Sequence, residues 1–199
     1  MRLVEGRYKA DDVGRSHEAG TMRRTIVLAV GLICAVSLAA DDTSHRLTLE
    51  GVCSIDAPPG YSWQPLQPYD AHKGGQYMCQ APRKAGRIVL EIDPRHAGNQ
   101  NARAAVLKIH FNTLVQTLKK NGFTNLKGEP PSFEPPIPDN VSYTVAGTTA
   151  TGQARVFNGH SIFGNHTYFL QVVSTTLPDA EQLGNVAKTL KEPQEKPGE

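Results

Sequence analysis

The sequence predicts an α+β fold, an antiparallel sheet covered by one long and one short helix. Three observations carry that expectation. Short runs of alternating apolar residues cluster in two groups, one on each side of a single long amphipathic stretch. That stretch keeps an apolar stripe at helical spacing for about five turns. A second, shorter helical pattern closes the chain. Strands grouped with strands, with long helical segments between the groups, make a sheet of neighbouring antiparallel strands with helices on its faces.

The first structured segment is predicted over residues 46–55, where Leu47, Leu49, Val52, Cys53 and Ile55 supply apolar positions. Ala57-Pro58-Pro59-Gly60 ends it, because proline lacks the ladder donor and glycine permits a turn. Residues 61–66 read as a second strand with Tyr61 and Trp63 on one face. Residues 70–75 read as a turn. Residues 76–80 and 87–92 then form a hairpin around Pro82-Arg83-Lys84-Ala85-Gly86. In its second arm Ile88, Leu90 and Ile92 share one face.

The long helix is predicted over 102–120. Leu107, Phe111, Leu114 and Leu118 fall at i, i+4, i+7 and i+11, with Val106 and Val115 widening the stripe. Asn101 reads as its cap, Lys119 and Lys120 suit its negative end, and Gly122 suits a left-handed stop. A short strand over 123–127 leaves it. Residues 128–140 hold five prolines and read as a stiff connection. Three strands follow, over 141–146, 153–162 and 167–174. A helix over 178–191 carries Leu183, Val186 and Leu190 at core spacing. Residues 192–199, rich in Pro, Glu and Lys, read as a disordered tail.

Ahead of this domain, residues 22–40 have the order of a cleavable signal peptide. Arg23 and Arg24 are followed by 11 uncharged residues, Ile26 to Val36, and then by Ser37-Leu38-Ala39-Ala40. The uncharged stretch from Thr25 to Ala40 is 16 residues, shorter than the roughly 20 that cross a bilayer core. Lipidation of Cys34 is disfavoured because Ile33 stands where that processing needs a small residue. Residues 1–21 are either a start assigned too far upstream or a disordered extension. The expected organisation is thus an extension, a signal peptide, one domain over 41–191 and a tail. The expected location is periplasmic or secreted.

Of the 21 Lys and Arg and the 19 Asp and Glu, six and four precede Asp41, which leaves fifteen of each in the domain. That balance gives no long-range pull toward nucleic acid or an anionic membrane. Contact with a membrane is expected only through the signal peptide. Cys53 and Cys79 are the two cysteines left after cleavage. In an oxidising compartment they are the candidate disulfide, with two buried free thiols as the rival.

An opening strand runs into Ala57-Pro58-Pro59-Gly60-Tyr61-Ser62-Trp63, then a hairpin, one long mid-chain helix, late strands closing on Tyr168-Phe169-Leu170-Gln171-Val172-Val173, and a short helix. This order resembles the PsbP-like superfamily, including small exported bacterial proteins of the DcrB and LpqN groups, over residues 46–191. The resemblance implies an α-β-α sandwich used as a binding or accessory module, mostly without enzymatic activity. It carries no functional residue across.

The residues themselves offer few reaction centres. His160 and His166 flank a turn, with His72 and His96 in other loops, and all four read as exposed loop histidines short of a metal's three or four ligands. Gly159-His160-Ser161 lacks the second glycine of a nucleophile elbow, since Phe163 stands there. Asp56, Glu91 and Asp93 read as solvated strand ends. Pro135-Pro136-Ile137-Pro138 reads as a rigid connector. Tyr61, Trp63, Tyr69 and Tyr77 lie within 17 residues and either line a ligand cleft or pack in the core. Arg83, Lys84 and Arg87 form a basic hairpin tip, suited to an anionic ligand or simply to water. The functional expectation is an exported, non-enzymatic module for an unknown protein or small ligand, with no cofactor. The alternative is a hydrolytic or metal-dependent envelope enzyme with a site built from distant loops.

Overall fold

The computed structural model describes residues 45–82, 84 and 86–193. The predicted extension, the signal peptide, Arg83 and residues 194–199 lie outside them. Among the described residues no helix is long and apolar enough to cross a membrane.

The architecture is α+β, as the sequence predicts. Strands β1 (Arg46–Leu49) and β2 (Cys53–Asp56) form a two-stranded hairpin. The main sheet contains β3 (Ser62–Asp70), β4 (Gly74–Gln80), β5 (Arg87–Asp93), β6 (Thr124–Lys127), β7 (Asn140–Thr148), β8 (Ala154–Phe163) and β9 (Thr167–Ser174). Its seven strands run in the order β3-β4-β5-β9-β8-β7-β6, and every pairing is antiparallel. Between β5 and β6 lies the helix α1 (Gln100–Lys120); after β9 come α2 (Leu177–Gly184) and a 3-10 turn, Asn185–Thr189.

Period-two alternation gives the sheet two apolar faces and therefore two cores. Leu107, Leu114 and Leu118 of α1 pack with Tyr143, Val145, Phe157, Phe163 and Phe169 on one face. On the other, Ile88, Leu90, Ile92, Tyr168, Leu170 and Val172 meet Cys53 and Ile55 of the small hairpin and Ala180, Leu183 and Val186 of the C-terminal helical segment. The sheet is thus sandwiched between α1 and a mixed layer of hairpin and short helix.

Several boundaries differ from expectation for identifiable reasons. The single strand expected over 46–55 is a hairpin, turned at Gly51 with φ +71°, a backbone conformation open to glycine. Strand β3 runs past Leu66 through Pro65 and Pro68; proline is tolerated there because β3 is a sheet edge whose outer donors need no partner. Helix α1 is capped by Asn99, not Asn101, with the Asn99 side chain accepting the Ala102 N–H at 2.9 Å. The C-terminal helix stops at Gly184 and tightens into the 3-10 turn, and Lys191 then bridges to Ser54. Glu192, expected to begin a disordered tail, is held in place. Its carboxylate accepts the N–H groups of Asn165 and His166 at 2.9 and 3.0 Å and the Tyr168 hydroxyl at 2.8 Å. Burial opposes its charge, but those donors outweigh it and lower its pKa.

The expected Cys53–Cys79 disulfide is replaced by its rival. Both cysteines are buried free thiols outside disulfide distance. Cys53 opens β2 in the small hairpin and Cys79 sits in β4 of the main sheet, so they enter one core from opposite layers. Burial pushes both thiols up to about 12, with the Glu192 charge adding to the effect at Cys53. Both therefore stay protonated, the inert state of a cysteine.

Candidate ligand cleft

The face that meets the hairpin and α2 is apolar in its middle and turns polar toward one side. On β5 and β9 it presents Ile88, Leu90, Ile92, Tyr168, Leu170 and Val172. On β8 the same face reads Val156, Asn158, His160, Ile162, so two polar residues interrupt an apolar period. On β7 it reads Asn140, Ser142, Thr144, with Ser142 opposite His160 and Thr144 opposite Asn158 in the register.

Helix α2 and the 3-10 turn bridge this polar margin and leave a cleft of about 330 Å³. Asn140, Ser142, Asn158 and His160 line it from the sheet; Glu181, Gly184, Asn185, Ala187 and Lys188 line it from the helical segment. The volume lies at the small end of ligand pockets, which begin near roughly 300 Å³. Thr176 caps α2 by accepting the Asp179 N–H at 3.3 Å. At the far end Thr189 accepts the Asp56 N–H at 3.0 Å and donates to the Val186 carbonyl at 2.9 Å. Thr189 ties the far end of the segment to β2, and the cleft lies beneath the stretch before it.

The floor is short of partners. Asn158 is 8 % exposed, and its Oδ1 is buried without a donor. Both ring nitrogens of His160 are buried without partners as well. Of the six buried, unpaired side-chain polar atoms among the described residues, these two neighbours supply three. The others, Trp63 Nε1, Tyr143 Oη and His166 Nδ1, lie elsewhere. Burial, seconded by the Lys188 charge, brings the His160 pKa down to about 4, so the ring is neutral near pH 7. Lys188 and Glu181 stand exposed at the rim, and Lys188 donates to Asn185 Oδ1 at 2.8 Å.

Gly184 fits this floor. Its φ of −62° and ψ of −25° suit any residue, and alanine would favour the helix more. A Cβ there would stand 2.9 Å from His160 Nε2 and 3.3 Å from Asn158 Nδ2. Glycine is needed for clearance above the histidine, not for backbone freedom.

A second half-buried histidine, His110 of α1, lies on the opposite face. Its Nδ1 lies 3.1 Å from Ser161 Oγ, and its ring stacks on Phe169 with centroids 4.3 Å apart. Burial lowers its pKa to about 4 against the opposing pull of Asp93. Ser161 is 0 % exposed, so this serine–histidine pair is closed to any substrate.

The other sequence candidates disperse. Tyr61, Trp63 and Tyr77 are buried in the core, and Tyr69 packs against it, with its N–H donating to the Tyr77 hydroxyl at 2.9 Å. They form packing, not a cleft. Lys84 lies over the Tyr61 ring at 4.8 Å and donates to the Pro59 carbonyl at 3.2 Å. Arg87 is half-buried on β5, on the face turned toward α1. His72 and His96 are exposed loop residues as expected, but His160 lies within β8 with its ring under Gly184, and His166 is half-buried with Nδ1 shut from solvent. Among the described residues no group of three or more His, Cys, Asp or Glu is placed to hold a metal. Glu91, read as solvated, is half-buried on β5, and that burial raises its pKa. The signal that marks the cleft in the sequence is the Asn158, His160 break in β8's apolar alternation, together with a glycine inside a helical pattern.

Compared with protein-family models and with curated proteins, the chain matches none.

Proposed function

We propose that this chain is an exported, non-enzymatic binding module whose small ligand seats in the cleft between β7–β8 and the α2–3-10 segment. The observation that carries the reading is the cleft's floor, where Asn158 and His160 hold three buried polar atoms without partners. A buried unpaired group costs about 1–3 kcal/mol, and retaining three in one place is explained by something that pairs them in the working state. Binding is favoured over catalysis because Ser161, the hydroxyl beside His110, is fully buried. Export rests on the charge, apolar core and small-residue order of residues 22–40. Kinship with the PsbP-like proteins rests on element order, and the even charge of residues 41–199 speaks against a nucleic-acid partner.

Native mass spectrometry of the chain recovered from the compartment it reaches is the test. A non-covalent adduct of small-molecule mass, absent from His160→Leu, is expected. A bare polypeptide mass in both forms would overturn the binding reading. The same spectrum checks export, since cleavage after Ala40 leaves a chain beginning at Asp41.

A further inference from the structure

We infer that the cleft takes an uncharged amide-type ligand, whose N–H donates to Asn158 Oδ1 and whose carbonyl accepts from the His160 ring. The inference rests on the binding reading above and adds the chemistry of the ligand. Asn158 Oδ1 is an acceptor awaiting a donor. Neutral imidazole carries one donor and one acceptor nitrogen, and both are unpaired here. The floor therefore lacks two donors and one acceptor, the inventory of a primary amide.

Charge is disfavoured in that position. No ionised group lines the floor, and desolvating a lone charge is far costlier than desolvating an amide. Lys188 and Glu181 are at the rim, exposed and opposite in sign, so neither an anion nor a cation gains from the cleft as a whole. No Phe, Tyr or Trp lines the cleft, which removes the rings that cations favour most.

The unpaired atoms are shut from solvent in this conformation, so a ligand reaches them when the stretch from Gly184 to Lys188 lifts. The chain passes from α2 into the 3-10 turn at this point, and only Asn185 and Lys188 of the stretch are exposed. Thr189 ties the far end of the segment to β2 through the Asp56 N–H. Gly184 is then a positioning residue, keeping the space into which the His160 ring fits.

Acetamide, acetate and acetamidinium are nearly isosteric and differ in charge, so they separate the ligand classes. Each is titrated into the isotope-labelled full chain, following the amide signals of Asn158, His160 and Gly184 and the His160 ring nitrogens. Acetamide is expected to give saturable shifts at these positions, with acetate and acetamidinium at least about tenfold weaker, the ratio that corresponds to 1.4 kcal/mol. Gly184→Ala, whose Cβ would meet His160 Nε2 at 2.9 Å, is expected to weaken acetamide at least tenfold. Tighter binding of either charged probe would overturn the amide assignment and leave the binding reading standing. So would silence from all three beside a small-molecule adduct that His160→Leu abolishes. Silence together with no adduct would overturn both.

Discussion

His110 and His160 lie on opposite faces of one sheet, and burial drives both pKa values down to about 4. Their surroundings differ. His110 meets Ser161 Oγ at 3.1 Å and stacks on Phe169, whereas His160 has neither nitrogen paired and faces a glycine. A depressed pKa therefore does not single out a functional group. What separates the two is unspent hydrogen-bonding capacity: the first histidine holds the fold together, and the second waits beside a cleft.

The largest expected effect is on the satisfied side. His110→Ala removes the stacked ring and leaves Ser161 buried beside a cavity, which should cost about 3 kcal/mol in denaturant unfolding. A loss under about 1 kcal/mol would erase the contrast with His160. Acid should act on both. Each histidine binds its proton more weakly folded than unfolded, so the unfolded state takes up more protons between the ordinary histidine value of 6.5 and about 4. Stability is then full above about pH 6.5 and falls as pH drops through that window, by up to about 3 kcal/mol per histidine. Unfolding curves between pH 7 and 4 check this, and replacing either histidine should flatten the profile. A profile unchanged in both variants would contradict the shared burial.

The C-terminal clamp gives a smaller effect. Glu192→Gln keeps the shape but weakens acceptance from Asn165, His166 and Tyr168. About 1–2 kcal/mol should be lost, with hydrogen exchange at Asn165 and His166 speeding up while the cleft stays unchanged. Smallest are the cysteines. Cys53 and Cys79 should resist thiol reagents in the native protein and both react once it is unfolded without reductant. Failure to react when unfolded would restore the disulfide.

Most of the fold was legible in the sequence because periodicity is written locally. The Leu107, Leu114 and Leu118 stripe announces α1, and the residues of β9 match their predicted span. Edges were less legible: the strand expected over 61–66 runs on past Pro68 because β3 lies at the margin of the sheet. The cleft was least legible. Its floor comes from β8 and its roof from a helix more than twenty residues later, so only tertiary packing reveals that Gly184 lies over His160. The four aromatics drew attention by proximity in sequence, yet burial in a shared core accounts for Tyr61, Trp63 and Tyr77.

A polar floor that serves a ligand and one that serves the fold differ in the unfolding free energy of His160→Leu. Leucine fills similar space without leaving unpaired nitrogens. The account predicts a protein as stable as the parent or more so, by up to about 2 kcal/mol. A loss as large as that of His110→Ala would contradict it, and would make His160 one more structural histidine.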